Sequence, residues 1–137
     1  MAKWAAESIP SADRLFVRVH RSLAKPDGRP SKAAFAPRET GVSADWEKYS
    51  TPTQARDRAR TPSESGVVSV IVGAVRALPN RSVVHDPIQD HPTLPDNRAH
   101  SEIRGPADPE IRVKLKRLAN WEIPVPGMPA LPELPTA

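Results

Sequence analysis

One apolar run, residues 67–78, constrains the fold most, because it is the only long apolar run in the chain. Its first half is rich in Val and Ile, whose β-branched side chains are stiff at χ1 and suit a pleated, buried surface. Gly73 and Arg76 interrupt the run, which is too short to span a bilayer. The run predicts a central strand over residues 67–72, and residues 74–78 either continue that strand or begin a helical turn.

Composition limits the size of the core. The chain has 137 residues, enough for one domain, and only 4% of them are aromatic. It has no cysteine, which excludes a disulfide framework and a thiolate metal site. The first residues have no apolar signal-peptide core. We therefore expect a cytoplasmic protein with no membrane partner.

Alternating hydrophobicity predicts a small sheet. Residues 14–20 place Leu15, Val17 and Val19 on one side and polar residues mostly on the other, as in a strand with one buried face. Shorter strands are predicted at 31–37, 83–85 and 99–103, the first of them carrying Phe35.

Helix-start signals predict two or three helices. Thr51 followed by Pro52, with Gln54 three residues after Thr51, is typical of a capped N-terminus, and residues 45–49 are predicted to form a short helical turn. Asp108 and Pro109 begin the third helix, in which apolar residues recur at helical spacing.

The fold class expected is α+β, a small and mostly antiparallel sheet with two or three helices and extended N- and C-terminal arms. The domain occupies residues 12–122. Residues 1–11 form the N-terminal arm. Residues 123–137 form a Pro-rich extended tail, because proline removes hydrogen-bond donors and fixes φ.

Several segments resemble a broad group of small uncharacterised bacterial proteins over about residues 13–122. The matching stretches are LFVRVH at 15–20, DGRPS at 27–31, AF at 34–35, VHDP at 84–87, NRAHSEI at 97–103 and ANW at 119–121. The chain differs where Asn97 and Arg98 replace the group's proline before the Ala-His pair. The resemblance implies a bacterial cytosolic domain, with a link to mobile elements or defence systems, and it implies no reaction.

A polar constellation is the first candidate site. Arg18, His20 and Glu102 converge if their strands are neighbours, together with Ser31, His85 and His100. Arginine binds phosphate through paired donors, and a glutamate stabilises developing positive charge. The main interpretation is a solvated sheet face on which Arg18 pairs with a local carboxylate. The alternative is an ADP-ribosyltransferase-like enzyme, with Arg18, His20 and Glu102 as its catalytic residues.

The basic third helix is the second candidate, and it predicts contacts with nucleic-acid phosphates. Its basic residues are Arg112, Lys114, Lys116 and Arg117. A solvated amphipathic face is the alternative. The His and Asp residues between 85 and 100 match no tight metal-site spacing, so we expect no metal and no cofactor.

The apolar, proline-spaced tail is the third candidate, because an extended, preformed segment suits a groove on another protein. The leading hypothesis is therefore a non-catalytic accessory subunit that docks on a larger bacterial protein, in a defence or nucleic-acid-processing assembly. The predicted partner-binding residues are Trp4, Trp121, Ile123, Val125, Met128, Leu131 and Leu134.

Overall fold

A computed structural model describes residues 4–37 and 41–127, and it confirms the α+β class. The strands are β1 (Arg14–His20), β2 (Val42–Trp46), β3 (Ser65–Ile71), β4 (Ser82–His85), β5 (His100–Arg104) and β6 (Asn120–Ile123). The helices are α1 (Pro52–Asp57), α2 (Val72–Arg76) and α3 (Pro109–Leu118). The strands form one sheet in the order β4-β5-β2-β1-β3-β6, and every neighbouring pair is antiparallel.

The apolar run divides between two elements. Residues up to Ile71 belong to β3, which lies inside the sheet between β1 and β6. Helix α2 begins at Val72, so the run turns helical in its second half. The caps of α1 and α3 are those expected, with Thr51 accepting from Gln54 N and Asp108 accepting from Glu110 N.

Two short predictions were wrong. Residues 31–37 contain no strand; Ser31 Oγ accepts a hydrogen bond from Ala33 N and begins a 3-10 turn, Lys32–Phe35. Residues 45–49 do not begin a helix, because Asp45 and Trp46 belong to β2, which pairs with β1 and β5.

The sheet has two unlike faces. The apolar face carries Leu15, Val17 and Val19 of β1, and α2, α3 and the 3-10 turn pack over it around Phe35. We call the opposite side the polar face. There α1 covers β1, β3 and β6, burying its Ala55.

Both chain ends run along the domain where they are described. Ile9 is buried in the main core, and its carbonyl oxygen accepts a hydrogen bond from Arg76. At the other end, the backbone of residues 123–125 passes so close to Gly66 that a Cβ there would lie 2.5 Å from Ile123 O. The described parts of both arms thus contribute to the folded domain.

Candidate functional site

The pairing of β2 with β5 brings four polar side chains onto the polar face. Ser43 lies opposite Glu102, and Asp45 lies opposite His100. Residues opposite each other in an antiparallel pair share a face, so the four side chains form a two-by-two patch. Arg18 of β1 extends the patch, since its Nη2 lies 3.4 Å from Ser43 Oγ.

Asp45 is the centre of this patch. Its side chain is 0% exposed, and Oδ2 accepts from Arg18 Nη1 at 2.9 Å and from Arg58 Nη1 at 3.0 Å. Oδ1 accepts from Asn97 Nδ2 at 2.9 Å. A buried carboxylate is tolerated only when it is paired and hydrogen-bonded in this way. One negative charge therefore holds two guanidinium groups side by side and leaves a local excess of one positive charge.

Ser43 and His100 form a directed hydrogen-bond chain. His100 Nδ1 lies 2.8 Å from the Asp86 carbonyl oxygen, and Nε2 lies 3.1 Å from Ser43 Oγ. A carbonyl oxygen can only accept, so Nδ1 carries the proton of the neutral ring and Nε2 is the acceptor. The Ser43 hydroxyl therefore donates to His100, while its oxygen accepts from Arg18.

Arg18 and Glu102 of the predicted constellation share the polar face, with Ser43 between them. Glu102 accepts from Arg104 Nη2 at 2.8 Å, so its carboxylate is already paired with a guanidinium. His20 instead points to Glu64, with its Nε2 3.2 Å from Oε2.

His85 is a core residue on the apolar face. Its Nε2 donates to Arg98 O at 2.7 Å, its Nδ1 accepts from Glu7 N at 3.0 Å, and its ring lies 5.0 Å from the Trp46 ring. Backbone atoms satisfy both ring nitrogens, so His85 has a structural role.

Sequence reasoning missed Ser43 and Asp45 of the patch and also the two residues that donate to Asp45, Arg58 and Asn97. The alternation of Val42, Ala44 and Trp46 was the available signal, because it is a period-2 pattern that predicts a strand and places Ser43 and Asp45 on its other side. No local signal identified Arg58 and Asn97, since they reach Asp45 across 13 and 52 residues.

The basic residues of α3 lie beside a basic turn. Lys114 and Arg117 are exposed and Lys116 is half-buried. Partial burial, together with the positive charges of Lys25 and Arg29, lowers the pKa of Lys116. The turn that carries Lys25 and Arg29 is fixed in place because Gly28 O accepts from Trp121 Nε1 at 2.7 Å.

The predicted partner-binding residues that are described make contacts within the chain. Trp121 packs on the main core, Ile123 packs near Phe16, and Val125 is buried. Trp4 exchanges backbone hydrogen bonds with the Gln89 side chain. The other three predicted residues, Met128, Leu131 and Leu134, lie outside the described residues.

Residues 4–37 and 41–127 contain no group of three or more His, Asp or Glu side chains placed to hold a metal ion. No helix within these residues has the length and hydrophobicity needed to cross a membrane.

No protein-family model, curated protein sequence or solved structure matches this chain. The likeness to small bacterial proteins therefore stays a prediction.

Proposed function

We propose that this protein is an accessory subunit that binds the phosphate backbone of a nucleic acid. The binding surface, which we call the cationic surface, is formed by residues 24–35 and by α3 with its Asp108 cap. The placement of the chain's positive charge carries the proposal.

The cationic surface contains the whole excess of positive charge. Residues 24–35 and 108–118 hold seven basic and three acidic side chains, an excess of four. The whole chain has 20 basic against 16 acidic side chains, the same excess. The remaining residues are therefore neutral in sum. A concentrated field of this kind attracts polyanions and steers their association.

Partial burial lowers the pKa of Lys116 most, and the positive charges of Lys25 and Arg29 lower it further, because the three cations repel one another in the free protein. The C-terminal end of α3 attracts Lys116 and Arg117 through the helix dipole, but this does not account for Lys25 and Arg29 on a separate turn. A phosphate between them would relieve the repulsion.

Two arginines extend the same side of the molecule. Arg112 lies one helical turn before Lys116, and its Nε is buried with no hydrogen-bond partner among the described residues. Arg81 Nε is also buried without a hydrogen-bond partner among the described residues. Both side chains line one pocket together with Pro106. Buried donors without partners cost free energy, and both side chains add positive charge on this side of the molecule.

Contacts of this kind position a nucleic acid without reading its sequence. The cationic surface has no exposed aromatic side chain among its described residues for stacking on single-stranded bases, in contrast to single-strand binding grooves. We therefore expect modest affinity, little sequence preference and strong salt dependence.

Fluorescence anisotropy with a labelled short duplex tests the proposal. The logarithm of the association constant should fall linearly with that of the salt concentration, by about 0.9 per phosphate neutralised. The Lys25→Gln/Lys116→Gln double variant should reduce that slope by about 2, since each lysine contributes about 1.

The matched control is Arg56→Gln/Arg60→Gln, which removes the same charge within α1 and just after it, outside the cationic surface. The control should bind the duplex with nearly the affinity of the wild type. An equal loss of affinity in the two double variants would mean that net charge alone attracts the duplex. No binding of the duplex by the wild type at low salt would refute the proposal.

A second candidate is docking on a larger protein through residues 128–137. In its favour, Ile123 and Val125 anchor the chain to the sheet just before that segment, so its apolar residues begin from a fixed point. Because Val125 is a core residue, the truncation should begin at Met128. Purification from the native host with nuclease should recover a stoichiometric protein with the full chain and lose it with residues 1–127; equal recovery would contradict docking.

A further inference from the structure

We propose that Ser43 is a nucleophile activated by His100, and that the polar face hydrolyses carboxylic esters that carry a negative charge near the scissile bond. This site is separate from the cationic surface, which is built on helices and turns that cover the apolar face.

The hydrogen-bond directions around Ser43 carry the inference. His100 donates through Nδ1 to Asp86 O, which turns the lone pair of Nε2 toward Ser43 Oγ. Arg18 Nη2 donates to the same oxygen, so the hydroxyl hydrogen is directed to His100. A nucleophile, a base and a group that orients the base are the parts that an activated serine needs.

Access to the site is at Ser43. Its side chain is half-buried, whereas Asp45, His100 and Glu102 around it are buried, and α1 packs instead on β1, β3 and β6. His85 provides the internal contrast, because the backbone atoms Glu7 N and Arg98 O occupy both of its ring nitrogens.

The charge on the polar face selects the substrate class. Arg18 and Arg58 share the single charge of Asp45, with side chains 22% and 31% exposed. Their remaining N–H donors can bind an anionic group on the substrate. Arg18 Nη2 also lies 3.4 Å from Ser43 Oγ, so it can stabilise the oxyanion of a tetrahedral intermediate.

The reaction has two balanced steps. Ser43 Oγ attacks the carbonyl carbon and its proton passes to His100 Nε2; the C–O bond of the ester breaks, and the departing alkoxide takes that proton and leaves as an alcohol. Water then attacks the carbonyl carbon of the acyl-serine and gives one proton to His100 Nε2. The bond between the acyl carbon and Ser43 Oγ breaks, Oγ takes that proton back from His100, and the carboxylic acid leaves. One ester and one water become one acid and one alcohol.

Labelling with a neutral alkyl fluorophosphonate tests the nucleophile, because it phosphonylates an activated serine and releases fluoride. Intact-mass analysis and peptide mapping should find one adduct, on Ser43. Ser43→Ala should abolish it, His100→Gln should slow it by about 100-fold, and the exposed-residue control Ser63→Ala should not change it. No adduct on the wild type, an adduct on another serine, or an unchanged rate in His100→Gln would overturn the proposal.

The substrate class has its own readout. The wild type should hydrolyse a p-nitrophenyl ester with a free carboxylate on its acyl chain at least tenfold faster than the neutral acetate ester. Arg58→Gln should remove this preference, lowering the rate on the charged ester to that on the neutral acetate ester. Equal rates on the two esters would refute the anionic specificity.

The ring tautomer gives a test that needs no variant. Nitrogen-15 shifts of His100 in the full-length protein should report a proton on Nδ1 and none on Nε2 in the neutral ring. A neutral ring with its proton on Nε2 could not take the proton of Ser43, and that result would overturn the proposal. The double variant of the cationic surface should label normally, so each proposal can fail without the other.

Discussion

The two faces of the sheet bury their side chains by different interactions. On the apolar face, Leu15, Val17 and Val19 pack under helices, and a polar group such as the Trp46 indole N–H meets a single dedicated acceptor, Asp13. On the polar face one buried carboxylate, Asp45, organises two arginines and an asparagine. The first face is stabilised by burial of apolar area, whereas the second depends on a charge network that fails if one member is removed.

A large effect should come from Asp45→Asn. It removes the charge that Arg18 and Arg58 share and should lower the free energy of unfolding by about 3 kcal/mol, the lower end for a broken buried pair because both arginines are partly solvated. Urea unfolding measures it. A loss below about 1 kcal/mol, the range of exposed ion pairs, would mean that the network does not stabilise the polar face.

Leu15→Ala tests the apolar face. Leu15 is 0% exposed in the main core, so its truncation should cost about 2–5 kcal/mol through lost burial and a cavity. At a temperature where the variant remains folded, fluorophosphonate labelling of Ser43 should persist. Urea unfolding and intact-mass analysis give the two readouts, and loss of labelling in the folded variant would show that the faces are not independent.

Thr51→Ala should have a smaller and more local effect. Thr51 Oγ1 accepts from Gln54 N at 3.1 Å, and Gln54 Oε1 accepts from Thr51 N at 2.9 Å. Loss of this cap should cost about 1 kcal/mol. Hydrogen exchange should rise in α1, which covers part of the polar face, and stay unchanged in α3; a uniform rise across both helices would contradict a local role.

The smallest effect should be the pH dependence at Glu7, which lies by the apolar face. Its carboxylate accepts from Lys48 Nζ at 2.7 Å, and hydrogen bonds from Lys48 and Tyr49 lower the pKa of Glu7 below 4.5. Its contribution to stability is therefore present above that pH and is lost as the pH falls through the folded-state pKa. Glu7→Gln should flatten the acid side of the stability curve between pH about 5 and 3, and an unchanged curve would contradict the assignment.

Local sequence patterns predicted the elements that are determined by neighbouring residues in the chain. Alternation at residues 14–20 predicted β1, and the capping residues Thr51 and Asp108 predicted the starts of α1 and α3. These signals succeed because their physical cause lies within a few residues of the element.

The candidate site was only partly predictable, because its contacts span the chain. Arg18 and Glu102 were expected to share a face and do so, but the Ser43–His100 contact joins residues 57 positions apart. Ser43 and Asp45 are residue types that also favour turns, and only the pairing of β2 with β1 and β5 makes that segment a strand.

The most direct test of the proposed function is a nitrogen-15 NMR titration of the full chain with a short duplex at low salt. Our account predicts shift changes confined to residues 24–35 and 108–118 and to Arg81, with none at α1 or Ser43. Changes centred on α1 or on the polar face would contradict it, as would a spectrum that the duplex leaves unchanged.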